Sequence, residues 1–255
     1  MIFLLLLCAF EYPARSGRAA AMLAGAAVTD GQHSFYLNPA LGLDGGRLRA
    51  TICYSRPYCL PGLAWGRASG AWGNGRLAAG IGLSALHLGG YGEQDAAVVV
   101  SGMPVPNVAV GLGIHALIVS ASHLYGDVVP SFDAGVCWHF GRFRAGAAGL
   151  RLNSPRWRAG ASMPARVVVG GSWLPVDDLL FALDLSRESE SEDAAFGAEF
   201  RPTPQLGLRC GVGISPFRYA AGLDVTVGPL GFEYAYQFHP QLKDTHVLGL
   251  RAAWH

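Results

Sequence analysis

The chain has 255 residues and a net charge of +1; 15% of its residues are charged and 51% are hydrophobic. A soluble domain carries about 25% charged residues, so this composition, with a mean hydropathy of +0.28, does not fit an ordinary soluble surface. The small net charge and the lack of a basic run argue against nucleic acid as a partner. No apolar run approaches the roughly 20 residues of a membrane-spanning helix.

The chain begins with the apolar run MIFLLLLCAF, which has the length of the hydrophobic region of a signal peptide. No Lys or Arg precedes the run, so we interpret residues 1–14 as a signal peptide with an incomplete start. A lipoprotein signal at Cys8 is the weaker alternative, because a leucine stands directly before it where a smaller residue is expected.

Residues 15–46 do not alternate and are rich in small side chains. Asn38 can cap a helical turn whose first residue is Pro39, so NPALGL predicts one short turn just before the first strand. The small residues between Gly17 and Ala27 would let the segment pack closely against another surface. We predict that residues 15–46 form a plug against the inner wall of the β-structure that follows.

Residues 47–255 are short alternating segments separated by Gly, Pro, Asn and Asp, a pattern that predicts antiparallel β-strands. Each segment is close to the 9–11 residues that a tilted strand needs to cross a bilayer. We predict 14 strands, or 12 if the second and fourth do not form. The segments are 47–56, 62–71, 75–87, 94–103, 107–118, 130–140, 142–152, 165–173, 178–187, 194–201, 205–214, 218–227, 230–239 and 244–254.

The predicted connections alternate in length along the chain. GNG at 73–75 and PVPN at 104–107 are tight, whereas SASHLYGDVVP at 120–130, NSPRWRAGASMPA at 153–165 and the acidic RESESED at 187–193 are longer. Short turns at one end and longer loops at the other are typical of an outer-membrane barrel. A soluble β-sandwich, the alternative fold, has no reason to sort its loops in this way.

Charged residues fall in one phase of the predicted strands. An Arg or Lys that faces hydrocarbon costs about 2–4 kcal/mol at mid-depth, so this phase is expected to face the interior of a barrel. The surrounding Gly, Ala and Ser residues indicate a crowded interior rather than the solvated face of a sandwich. The predicted lumen charge network consists of Asp133, His139, Arg166, Asp184, Glu199, Arg201, Arg209, Asp224, Glu233 and Arg251.

The penultimate strand shows the alternation most clearly. In FEYAYQFH, residues 232–239, the aromatic side chains alternate with Glu233, Ala235 and Gln237. Successive side chains of a strand point to opposite faces. We therefore expect the aromatic face to meet lipid and the Glu233 face to point inward.

The two ends of the chain resemble a known superfamily. SGRAAAMLAGAAVTDGQHSFYLNPALGL is similar to the N-terminal segment of FadL-like and PorV-like outer-membrane proteins, with a Gly/Ala-rich stretch before an Asn-Pro-Ala motif. EYAYQFHPQLKDTHVLGLRAAW resembles the closing hairpin of the PorV-like branch. The resemblance implies a 14-stranded outer-membrane barrel with an internal plug, in which Asp30, Asn38, Pro39 and Ala40 anchor the plug.

The same resemblance implies two functions. The first is passive transport of small hydrophobic compounds, as in the FadL-like branch; the alternative is a PorV-like accessory role in protein secretion or surface attachment. The expected partners are outer-membrane lipid and either a hydrophobic small molecule or a secretion-system protein. The modest loops argue against an elaborate external ligand groove. Candidate ligand contacts, with plain packing as their other interpretation, are Met22, Leu23, Phe35, Tyr36 and Leu37.

No motif indicates an enzyme, a metal or a cofactor. Ser, His and acidic residues occur, but no nucleophile motif places them together. There is no CxxC pair and no His/Cys cluster with metal-ligand spacing. Cys53 and Cys59 flank a predicted turn, where they either form a disulfide or pack as small apolar residues.

Overall fold

In the computed structural model, which describes residues 16–25, 34–43, 48–122 and 125–254, 14 strands form one closed antiparallel barrel. Each strand pairs with its neighbours in the chain, and the first pairs with the last to close the wall. The prediction of 14 antiparallel strands is confirmed, and the 12-strand and sandwich alternatives are wrong. The strands are β1 Leu48–Arg56, β2 Leu63–Gly73, β3 Leu77–Leu88, β4 Tyr91–Val105, β5 Val108–Ala121, β6 Tyr125–Phe140, β7 Phe143–Leu150, β8 Arg166–Val176, β9 Leu179–Glu188, β10 Ser191–Thr203, β11 Leu206–Gly213, β12 Arg218–Val227, β13 Leu230–Phe238 and β14 Thr245–Trp254.

The outer surface of the barrel is apolar. Large aliphatic side chains such as Ile52, Ile81 and Leu112 are more than half exposed, and they alternate with buried inward residues on their strands. At the short-turn end, aromatic rings lie side by side on neighbouring strands, with Phe143 and Trp173 stacked at 5.9 Å between ring centroids. An exposed apolar surface of this extent is unfavourable in water. An apolar band with aromatic residues at its edge is the outer surface of a barrel that spans a membrane.

The acidic stretch RESESED is not a loop, which corrects the prediction from sequence. Residues 187–188 end β9 and 191–193 begin β10, so only residues 189–190 form the connection. Arg187 and Glu192 pair across this hairpin at 3.6 Å. Polar side chains are compatible with strands here because the tip of the hairpin lies at the end of the barrel, where both side chains are exposed.

The other long-loop prediction holds for one segment and fails for another. Residues 151–165 between β7 and β8 form a long connection, whereas most of the stretch 120–130 belongs to the ends of β5 and β6. No disulfide links the cysteines of the described residues; Cys53 is buried on the inner face and Cys59 is exposed. The disulfide alternative for these two cysteines is therefore wrong.

Two segments of the chain lie inside the barrel. The first plug segment, residues 16–25, contains the helix α1 Gly17–Met22, whose start is capped by the side chain of Ser16. The second plug segment, residues 34–43, contains the 3-10 helices Ser34–Tyr36 and Pro39–Leu43. Among the described residues, no helix is long and apolar enough to cross a membrane. The predicted signal peptide at 1–14 lies outside the described residues.

The two plug segments contact opposite parts of the wall. The helix α1 packs against β10 to β14, and the 3-10 helix Pro39–Leu43 packs mainly against β3 to β6. Both segments present small or buried side chains to inward-facing Gly and Ala residues of the strands. The interior of the barrel is therefore filled by the plug over part of its length.

Candidate functional site

The second plug segment is joined to the wall by Asn38, which is fully buried. Its amide nitrogen donates to the carbonyls of Val136 on β6 at 3.2 Å and Ala147 on β7 at 3.4 Å. Its side-chain oxygen accepts the backbone N–H of Ala40 at 3.0 Å and so begins the turn that the sequence predicts. One side chain thus fixes both the shape of the segment and its place on the wall.

The wall approaches this segment closely because glycines line it. A methyl group at Gly135 would overlap the side-chain oxygen of Asn38, and one at Gly111 would overlap the backbone of Pro39. Ser101 on β4 donates its hydroxyl to the carbonyl of Pro39 at 2.7 Å. Only residues without a side chain leave room for this approach.

The first plug segment is held by polar contacts of another kind. The guanidinium of Arg18 donates to Glu199 at 2.6 Å, and its backbone N–H donates to Glu233 at 3.1 Å. Gln237 donates its amide hydrogen to the carbonyl of Ala20 at 2.8 Å. The side chains of three wall residues therefore bind one short helix.

Six of the ten residues in the predicted lumen charge network meet beside this helix. Glu199 accepts from Arg201 at 2.6 Å and from Arg209 at 3.2 Å. Asp224 pairs with Arg209 and, at 2.8 Å, with Arg251. Because Asp224 and Glu199 are buried, each needs these cations to offset its desolvation. The members are Glu199, Arg201, Arg209, Asp224, Glu233 and Arg251, joined by Arg18 of the plug.

The remaining four predicted charges lie apart from that group. Asp133 pairs with His115 on β5 at 3.1 Å, and Arg166 donates to the hydroxyl of Ser186 at 3.2 Å near the long-loop end. Asp184 is buried on β9, and His139 lies at the short-turn end of β6. All ten residues are on the inward phase of their strands, but they do not form one network.

A second polar cluster lies at Tyr36 on the β2 to β6 side. The guanidinium of Arg67 sits over the Tyr36 ring at 3.6 Å from its centroid. His115 has one ring nitrogen 2.9 Å from Asp95 and the other 3.1 Å from Asp133. Arg67 and Asp95 were missed in the sequence, although both share the inward phase of their strands; assigning that phase on β2 and β4 would have found them.

Within the described part of the chain, cavities of about 140, 240 and 40 Å³ lie between the plug and the long-loop end. Arg166 lines all three, Leu37 lines the first and third, and Leu23 lines the second and third. The shared lining residues show that they adjoin, and we call them the first, second and third cavity. Residues of both plug segments are part of their lining.

The structure separates the five candidate ligand contacts into two groups. Leu23, Tyr36 and Leu37 line the cavities. Met22 is fully buried among wall alanines of β9, β10 and β12, and Phe35 packs against the wall near Val99. Asp30, the fourth predicted plug anchor, lies outside the described residues.

The long connection 151–165 folds over one side of the mouth. Trp157 is 1% exposed and packs against Val119 and Val129 at the ends of β5 and β6. The backbone N–H of Arg158 donates to the Asp127 carboxylate at 2.7 Å. These contacts cover the β4 to β6 side of the mouth, and Tyr58 and Phe238 line the second cavity on the other side.

Comparison with known proteins identifies solved structures that share this fold. No family model matches the chain, and no curated protein matches its sequence. The toluene transporter TbuX of Ralstonia pickettii matches with a TM-score of 0.72 and 14% identity, over 96% of this chain and 100% of that chain. A FadL homologue of Pseudomonas aeruginosa matches with a TM-score of 0.72 and 13% identity, over 95% and 99%.

A further structure, the toluene transporter TodX of P. putida, matches with a TM-score of 0.73 and 11% identity, over 94% of this chain and 99% of that chain. Identities this low establish a shared architecture and do not show what this chain binds. The strand number, the closed wall and the apolar outer surface all agree with that architecture. The chain has the fold of a FadL-like outer-membrane β-barrel.

Proposed function

We propose that this chain is a plugged barrel of the outer membrane through which small hydrophobic molecules pass passively. The observation that carries the proposal is the set of adjoining cavities between the mouth and the plug, whose lining includes the apolar side chains of Leu23 and Leu37. The fold is shared with structures named as toluene transporters. That likeness supports a cargo of the same general kind.

Passage of a molecule through the barrel would require the plug to move. The third cavity, lined by Leu23, Ala24, Leu37 and Leu150, ends at the plug. A further cavity of about 400 Å³ opens at the short-turn end beside Trp254. The plug helix and its charge network lie between the two, so a molecule would pass only when one plug segment shifts.

Uptake by cells tests the proposal. A host with a lipopolysaccharide-containing outer membrane is compared with and without the protein, using labelled toluene and a hydrophilic solute of similar size. We expect toluene uptake to rise several-fold and uptake of the hydrophilic solute to stay at the background level. The variant Leu37→Trp, which would fill the space above the plug, is expected to return toluene uptake towards background.

Correct folding is checked by the difference in gel mobility between heated and unheated protein, which a closed barrel shows. Folded protein in the outer membrane with toluene uptake equal to that of control cells would contradict the proposal. The accessory role in secretion, with its protein partner, stays a prediction because none of the contacts among the described residues tests it. The same applies to the prediction that the chain is not an enzyme.

A further inference from the structure

We propose that the outer surface of the barrel binds a phosphate group of an outer-leaflet glycolipid, at the long-loop end of β1 and β14. The groups that contact the phosphate are the side chains of Arg56 and His246, which we call the phosphate patch. The patch lies on the outside of the wall, so the proposal does not depend on what passes through the barrel.

The two residues of the phosphate patch are neighbours on the outer face. Arg56 is the last residue of β1 and is paired in register with His246 on β14. Both side chains are exposed, whereas the adjoining inward residues Ser55, Thr245 and Val247 are buried. Directly opposed residues of antiparallel strands have Cβ atoms about 4.5–5.5 Å apart. One phosphate group can therefore contact both side chains.

Tyrosine side chains mark the depth of the patch in the membrane. Tyr54 on β1 and Tyr219 on β12 face outward near the same end, and Tyr236 on β13 is paired in register with His246. Tyr is enriched at the level of the lipid headgroups, and farther down the same face the side chains are aliphatic, as at Ile52. Because the longer loops of such barrels are extracellular, this level belongs to the outer leaflet, whose lipopolysaccharide carries phosphate groups on its sugars.

The hydrogen-bond donors of the patch are free to bind a ligand. Among the described residues, the guanidinium of Arg56 has no hydrogen-bond or ion-pair partner. The hydroxyl of Tyr234 lies 2.8 Å from Nδ1 of His246. With that hydroxyl as the donor, the neutral ring carries its proton on Nε2, which has no partner in the same part of the chain. A guanidinium and an imidazole N–H side by side match the acceptor oxygens of a phosphate.

The neighbouring charges leave the surroundings of the patch positive. Lys243, the only lysine of the sequence, is exposed in the turn before β14. Asp244 follows it and interacts with the hydroxyl of Tyr236. Two cations, Arg56 and Lys243, thus stand against one carboxylate. This balance favours an anionic lipid headgroup over a neutral one.

Binding of purified lipids to the full chain, folded in detergent, tests the proposal. The ligands are lipid A, the phosphorylated glycolipid anchor of lipopolysaccharide, and the same lipid without its phosphates, with bound lipid counted by native mass spectrometry. We expect the phosphorylated form to bind about tenfold more tightly and to stay bound when inorganic phosphate is added. Equal affinity for the two lipids would overturn the proposal. Displacement by inorganic phosphate would also overturn it, since the site would then take free phosphate rather than lipid.

Two variants locate the site. Arg56→Gln and His246→Phe each remove donors of the patch, and each is expected to weaken binding of phosphorylated lipid A about fivefold while binding of the dephosphorylated lipid stays unchanged. The control is Arg187→Gln, since Arg187 is also exposed at the long-loop end but already pairs with Glu192 at 3.6 Å. Wild-type affinity in both patch variants, or an equal loss in the control, would overturn the proposal.

Discussion

The two plug segments are held inside the same barrel by different forces. Residues 16–25 are bound through charged and polar side chains, with Arg18 in contact with Glu199. Residues 34–43 are bound through neutral hydrogen bonds of Asn38 and through two guanidinium groups, with Arg49 donating to the carbonyl of Gly42 and Arg67 over the Tyr36 ring. The first attachment includes an ion pair between plug and wall, whereas these contacts of the second are hydrogen bonds and a cation–π contact, so each should fail under a different change.

This difference in attachment leads us to expect that the two segments differ in how easily they are released from the wall. A buried ion pair becomes strongly unfavourable when one partner is lost, so the first segment can be released by a change in one group. Close contact with wall glycines does not separate the two segments, since a methyl group at Gly211 would overlap the carbonyl of Met22 just as one at Gly111 would overlap Pro39. We therefore expect the loss of one charged group to loosen the first segment more than the second.

The largest loss of stability is expected when one of the buried carboxylates is neutralised. Glu199→Gln and Asp224→Asn should each lower the free energy of unfolding by about 3–5 kcal/mol, because arginines are left without compensation. Of these two carboxylates, Glu199 is the one that pairs with the guanidinium of the plug residue Arg18, at 2.6 Å. Hydrogen exchange measured by mass spectrometry should therefore become faster in α1 for Glu199→Gln than for Asp224→Asn.

Each carboxylate variant serves as the control for the other. Both acids are buried and contact Arg201 and Arg209, so a general weakening of the wall would appear in both. Equal exchange of α1 in the two variants would show that the Arg18 contact does not hold the helix.

The next largest loss of stability is expected when a wall glycine that contacts the plug gains a methyl group. Gly111→Ala places a methyl group against the backbone of Pro39, and we expect a loss of about 3 kcal/mol from overpacking. The matched control is Gly126→Ala on β6, where a methyl group meets nothing within 4 Å. Urea unfolding in lipid vesicles measures both; similar stability of the two variants would contradict the close fit.

A smaller loss of stability is expected when Asn38 is replaced. Asn38→Ala removes the hydrogen bonds to Val136 and Ala147 and leaves buried carbonyls with fewer donors, at a cost of about 2 kcal/mol. Asn74→Ala is the control, since Asn74 caps the exposed turn before β3 and should cost well under 1 kcal/mol. The same urea assay applies, and an Asn38→Ala protein as stable as the control would remove Asn38 as an anchor.

The barrel was predictable from sequence because its signal is local. Alternation fixes which side chains share a face, and the cost of charge in hydrocarbon fixes which face is inward. The inward phase of Arg209 and Glu233 follows from these two rules alone. Asn38 and Pro39 were also identifiable, since capping chemistry acts within a few residues.

The partners of these charges were not predictable. Whether Glu199 meets Arg209, or Asp133 meets His115, depends on barrel register and plug position, which are properties of the whole fold. RESESED was misassigned because polar composition normally indicates a loop, whereas a strand end beyond the membrane can be polar. The cavity itself has no sequence signal, because it is the space that the plug leaves unfilled.

The smallest effect is expected from added salt, which should hardly change hydrogen exchange in the first plug segment. The Arg18 and Glu199 side chains are 11% and 3% exposed, and buried pairs are screened far less than exposed ones. Raising sodium chloride from about 0.1 M to about 1 M, where the screening length falls from about 10 Å to about 3 Å, should change hydrogen exchange in α1 less than twofold. A severalfold rise would show that water and ions reach the network, and the plug would then respond to ionic strength outside the cell.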